Sequence, residues 1–187
     1  MPDLRSVPDE TKWQIATQYA LHLTAMYERV FRPVVQDRYD ELEQEVWMHM
    51  ARFSLEIAQS LRLPTGTARD LAESLRLVRT LFSGPDYKGE LIEVGKDGAV
   101  IIIRRCPALA GDCCSPASGD GTFRRCMAFT LASQKHLNPG YSSRFVRAMC
   151  MGDRQCEIKI EPEKEQKQKA GATIPAKKIH DGEPQPG

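Results

Sequence analysis

At Gly84-Pro85 the hydrophobic period of this 187-residue chain changes from that of a helix to that of a strand. A chain that spends its first half on helices and its second on hairpins must bury both against each other. Helices segregated against an antiparallel sheet, an α+β fold, is the architecture this order selects.

Before the switch, Trp13, Ala16, Tyr19, Ala20, Leu23, Met26, Tyr27 and Val30 recur at helical spacing between Asp9 and about Arg32. Pro33 interrupts or restarts that helix, and a second is expected from Val34 to Leu61, with Val46, Met50, Phe53 and Ile57 on its buried stripe. Pro64-Thr65-Gly66 breaks the chain and Thr67 is the expected N-cap of a third helix carrying Leu71, Leu75, Val78 and Leu81. After the switch, Glu90–Val94 and Ala99–Arg104 flank the turn Gly95-Lys96-Asp97-Gly98 and read as a β-hairpin. Cys106 to Gly121 reads as a loop, and Thr122 to Leu137 as a fourth helix stopped by Asn138-Pro139-Gly140. Ser143–Met151 and Cys156–Ile160 form a second hairpin across Gly152 to Gln155. The expected fold is α+β: three N-terminal helices packed with a ββαββ four-stranded antiparallel sheet.

One domain over 1–161 follows, with a helical half at 9–84 and a cysteine-rich sheet half at 88–161. From 162 to 187 the composition turns to Glu, Lys, Gln, Gly and Pro, and a disordered tail is expected because so little apolar surface cannot offset the entropy of ordering. The 41% of hydrophobic residues suffices for a core without disulfide staples. With 26 basic against 25 acidic residues the formal charge is +1, too small a field to attract nucleic acid or an anionic membrane, and neither is expected as a partner. The N-terminus has no apolar signal region and no apolar run approaches the roughly 20 residues of a membrane span, so a cytoplasmic location is expected.

In that compartment six cysteines gathered between Cys106 and Cys156 read as metal ligands, redox groups or buried thiols in preference to structural disulfides. The fragment Cys150-Met151-Gly152-Asp153-Arg154-Gln155-Cys156 carries most of the information. If its central four residues turn the chain, Cys150 and Cys156 face each other across a hairpin and point to one side, with Val146, Ala148, Ile158 and Ile160 sharing that inward face. Cys106, ending the first hairpin, and Cys126, in the intervening helix, would complete a four-sulfur set. Zinc is the expected metal and an iron–sulfur cluster the alternative. Buried thiols and a regulatory disulfide stay open beside them. Cys113 and Cys114 are adjacent in the loop, and their diverging side chains give the pair a lesser role. His136, ending the fourth helix, is a candidate ligand or base, whereas His22 and His49 read as ordinary helix-surface histidines.

The residues Cys106-Pro107-Ala108-Leu109, Cys126, Leu137-Asn138-Pro139, Cys150-Met151-Gly152-Asp153 and Cys156-Glu157, after three amphipathic helices, resemble the L-2-amino-thiazoline-4-carboxylic acid hydrolase-like family. The same residues look like those of vinyl-reductase-type small-molecule-binding domains, over about Thr11 to Glu161. The resemblance implies a pocket between helices and sheet for a small organic ligand, beside a cysteine-bound zinc in some relatives. By motif position it carries over Cys150 and Cys156 best, then Cys106 and Cys126.

The first functional expectation is therefore a small-molecule-binding protein with a cysteine-ligated metal or cofactor site beside an apolar pocket, to which Trp13, Trp47 and Phe53 contribute walls. The second is a hydrolase opening a thiazoline-like ring at a C–N bond, using a cysteine or metal-activated water assisted by His136 or Glu157. The third is an iron–sulfur or redox accessory protein. Homodimerisation through the long helices is a further expectation.

Overall fold

The computed structural model describes residues 3–109 and 119–163. The α+β class holds. Helices α1 (Asp9–Val35), α2 (Tyr39–Met50), α3 (Arg52–Ser60) and α4 (Ala68–Ser83) precede strands β1 (Lys88–Glu93) and β2 (Ala99–Arg105), helix α5 (Gly119–Leu137), and strands β3 (Tyr141–Arg147) and β4 (Cys156–Pro162). The strands form one antiparallel sheet in the order β1-β2-β4-β3, so the second hairpin docks its later strand against the first hairpin.

The N-terminal half holds four α-helices where the sequence predicts three. Pro33 falls inside the last turn of α1, which ends at Gln36 with a φ of 55°. The expected second helix is divided at Ala51, where the Ser54 N–H bonds to the Ala51 carbonyl in a tightened turn. The fully buried Ala51 lets α2 and α3 bend around α5 there. That bend moves the predicted stripe: Val46 (57%), Met50 and Phe53 are exposed, and the helices bury Ala51, Ser54 and Ala58 instead.

Helix α4 keeps its predicted form. Thr67 Oγ1 accepts from the Asp70 N–H while Asp70 accepts from the Thr67 N–H, a reciprocal cap that fixes the start. Leu71, Leu75 and Val78 are buried, whereas Leu81 is exposed. The Asp97 carboxylate accepts from the Ala68 N–H at 3.0 Å and the Tyr141 hydroxyl at 2.8 Å, joining helix start, hairpin turn and β3.

On the helix-covered face of the sheet, the pairs Ala99–Ile160, Ile101–Ile158 and Ile103–Cys156 meet across β2 and β4, and all six residues are buried. Leu71, Leu75 and Leu137 pack on this layer. A second cluster of Ala51, Val78 and Phe129, with Trp47 and Phe82 against it, fills the space between helices. The α3–α5 contact is closed by the buried pair Ser54 and Ser133, whose hydroxyls are 2.8 Å apart.

In β3 the predicted inward face is displaced. Tyr141, Ser143 and Phe145 are the less exposed residues, a bulge follows between Phe145 and Arg147, and Val146 is exposed. The extra residue resets the alternation, so that Ala148 is buried as predicted while Val146 is not. Cys150 lies outside the ladder in a single 3-10 turn, Met149–Met151, closed by Gly152 at a φ of 100°. Pro162, predicted to begin the tail, pairs with Tyr141 as part of β4, and residues 164–187 lie outside the described residues.

Candidate functional site

A cavity of about 110 Å³ opens between α1, α4, α5 and the end of the sheet. Leu21, Thr24 and Ala25 of α1 form one wall, and Trp47 of α2 and Phe82 of α4 form another. Ile103 and Tyr87 close the sheet side, and Arg79, Thr122 and Arg125 supply polar atoms. Cys106, Cys126, Cys150 and Cys156 all line it. The fold reaches this arrangement by ending β2 just before Cys106, starting β4 at Cys156 and packing α5, with Cys126 at its middle, on β3 and on the turn that holds Cys150.

Each sulfur has its own surroundings. Cys126 Sγ accepts from Arg79 Nη2 at 3.0 Å, and Cys156 Sγ accepts from the Met149 N–H at 3.2 Å. Burial pushes the Cys150 thiol up to about 12 and the Cys156 thiol up to about 11, and burial likewise raises Cys106. These three groups are therefore neutral thiols at neutral pH and weak nucleophiles. A metal would have to displace their protons. Among the described residues no group of three or more His, Cys, Asp and Glu is placed to hold a metal ion. Four sulfurs are the right donors for zinc or an iron–sulfur cluster, but a guanidinium against Cys126 does not suit a bound cation. Cys113 and Cys114 lie outside the described residues.

Arg79 was not legible as a site residue from periodicity, yet the signal exists. It follows Ala72 and Leu75 on the buried stripe of α4, where a charge has no ordinary place. Its guanidinium touches Cys126 Sγ and stands 5.3 Å from the centre of the Phe129 ring. It makes no ion pair with a carboxylate among the described residues. Burial opposes its charge, the surrounding sulfurs favour it, and the balance lies toward the charged form.

Arg125 contrasts with it. Its Nη1 is 2.6 Å from Glu28 and 3.1 Å from Glu43, and its Nη2 donates to Thr122 Oγ1 at 3.0 Å. Tyr39 donates to Glu43 at 3.1 Å, and burial pushes its hydroxyl up to about 12. This network fastens α1 and α2 to α5 and closes one end of the cavity.

Other predicted contributors sit elsewhere. His136 is exposed at the end of α5, and His22 and His49 are exposed on α1 and α2. Glu157 accepts from Arg147 and Gln155 and does not line the cavity. Neither proposed assistant for ring opening is thus beside the thiols. Trp13 donates to the Leu81 carbonyl at 3.1 Å as a packing residue, and Phe53 is exposed, leaving Trp47 as the predicted aromatic that reaches the cavity.

No helix among the described residues is long and apolar enough to cross a membrane. No family model matches the chain, and no curated protein matches it. Among solved structures the chain is similar to the crystal structure of the phenol-responsive sensory domain of the transcription activator PoxR with phenol, at 12% identity and a TM-score of 0.48, over 78% of this chain and 74% of that one.

Proposed function

We propose that this chain is a binding protein for a small, single-ring organic molecule carrying a hydrogen-bond acceptor. The observation that carries the reading is a mostly apolar cavity of about 110 Å³ with the Arg79 guanidinium on its wall and, among the described residues, no carboxylate paired with it. Cavities of roughly 150 Å³ hold a benzene ring, so this smaller, open space takes at most one ring within its walls, with the substituent at the mouth. Apolar walls with a few placed polar groups are the ordinary make-up of such sites. The ring packs between Trp47, Phe82 and Leu21, and its acceptor meets Arg79.

Titration calorimetry and thermal shift with phenol, benzoate, toluene and cyclohexanol test this. A ligand at a hundred times its Kd stabilises the fold by about 2.7 kcal/mol, readily visible as a rise in Tm. Ala25→Phe, which fills the cavity from α1, abolishes that rise. Absence of binding by every member of the panel at millimolar concentration defeats the proposal.

A second reading places zinc, or an iron–sulfur cluster, on Cys106, Cys126, Cys150 and Cys156. Its support is that these four sulfurs line one cavity. Metal analysis and the visible spectrum of anaerobically purified protein decide it, with Cys150→Ser and Cys156→Ser expected to lose any metal found.

A further inference from the structure

Helix α1 carries a second apolar face besides the one it packs inward. Its inner side sets Trp13, Leu21 and Ala25 among polar groups that are satisfied there: Gln14 meets Asp86, Thr17 bonds back to the Trp13 and Gln14 carbonyls, and Glu28 pairs with Arg125. A further row of large apolar side chains points away from the rest of the described residues. Ile15, Tyr19 (69%), Leu23, Met26, Val30 and Val34 (77%) are all exposed. They follow one another at intervals of three and four, which draws a continuous stripe along the helix. Tyr27 and Phe31, whose ring centroids are 5.8 Å apart, widen it. A solvated surface helix carries the opposite pattern.

We infer that this stripe is the interface of a homodimer, occupied by α1 of a second copy of the chain in antiparallel, two-fold symmetric contact. Two observations select a second copy. The eight side chains expose on the order of 800 Å², which is what each partner contributes to a standard-sized stable interface. At the start of the helix Asp9 and Lys12 pair with each other at 2.8 Å, and antiparallel pairing sets the two helix dipoles against each other. A stripe on a straight helix of roughly 40 Å is self-complementary under a two-fold axis, the commonest symmetry of soluble oligomers. The inner side of the same helix lines the cavity through Leu21, Thr24 and Ala25, but the dimer does not depend on any ligand.

Sedimentation of the full chain over a wide concentration range tests the inference. The expected result is a mass twice the 21.0 kDa of the chain at high concentration, and a Tm that rises with concentration. Met26→Glu and Val30→Glu, on exposed positions at the middle of the stripe, are expected to give monomers with unchanged circular dichroism. Hydroxyl-radical labelling of the unmodified protein supplies a readout that no variant can spoil, with Tyr19 and Met26 expected to be protected at high concentration and labelled on dilution. A wild-type monomer at every concentration overturns the inference, including one that instead co-sediments with lipid vesicles. So does a dimer that persists in both folded variants, or labelling of Tyr19 and Met26 that ignores concentration.

Discussion

Arg79 donates to Cys126 Sγ over 3.0 Å, a cation set against a sulfur where a carboxylate would be expected. A half-buried guanidinium with no counter-ion among the described residues costs stability, and proteins keep such a group where it serves something other than folding. The same stripe of α4 that buries Leu71, Leu75 and Val78 carries it to the cavity wall.

Arg79→Met is therefore expected to leave Tm unchanged or raised, since an apolar side chain of similar length replaces an unpaired charge. The affinity for a ring bearing an acceptor falls about tenfold, or about 1.4 kcal/mol, while a purely apolar ring binds as before. Calorimetry on the two ligand types separates these outcomes. A drop in Tm of several degrees makes Arg79 a structural residue.

Cys150 and Cys156 couple the fold to alkaline pH. Their ordinary value of 9.0 is raised by burial to about 12 and about 11. A raised pKa in the folded state means that the contribution to stability is complete below pH 9 and is lost as the pH climbs through 11 to 12. Denaturant unfolding between pH 8 and pH 11 is expected to show a fall in stability that Cys150→Ala makes shallower. Iodoacetamide is expected to label these thiols far more slowly at pH 8 in the native protein than in urea. Equal labelling rates in both would refute the burial argument.

Gly84 holds the junction of α4 with the sheet at a φ of 88° and a ψ of 179°, a region open essentially to glycine. A Cβ there would stand 2.3 Å from Thr17 Oγ1, so alanine would also push α1 away. Gly84→Ala is expected to cost about 3 kcal/mol in denaturant unfolding. Gly95→Ala, at a φ of 68° with nothing within 4 Å, is the control and should cost about 1 kcal/mol. Similar losses in both would show that the contact with Thr17 is soft.

Ser54 and Ser133 share one hydrogen bond, and both are fully buried. Ser133→Ala strands the Ser54 hydroxyl and is expected to cost about 2 kcal/mol. The double variant Ser54→Ala, Ser133→Ala should recover most of that loss, because two buried methyl groups need no partner. A double-mutant cycle with additive losses excludes the coupling.

The chain's own sequence determined the elements and their order. The shift from period 3.6 to period 2 at Gly84-Pro85, the Thr67 cap and the inward run Cys156, Ile158, Ile160 are local properties, set by the backbone and by one face of one segment. Periodicity says only that a stripe exists, however, and leaves open what covers it. Tertiary packing decided that the helices bury Ala51, Ser54 and Ala58 rather than Val46 and Phe53, that a bulge after Phe145 turns Val146 outward, and that α1 turns Glu28 inward to Arg125 while Tyr19 and Val34 stay exposed. The cysteines were legible as a group because hairpin ends and a helix middle are readable from turns and spacing. Arg79, Glu28 and Arg125 were not, because a buried charge is recognisable only from the partners that distant segments bring to it, or fail to bring.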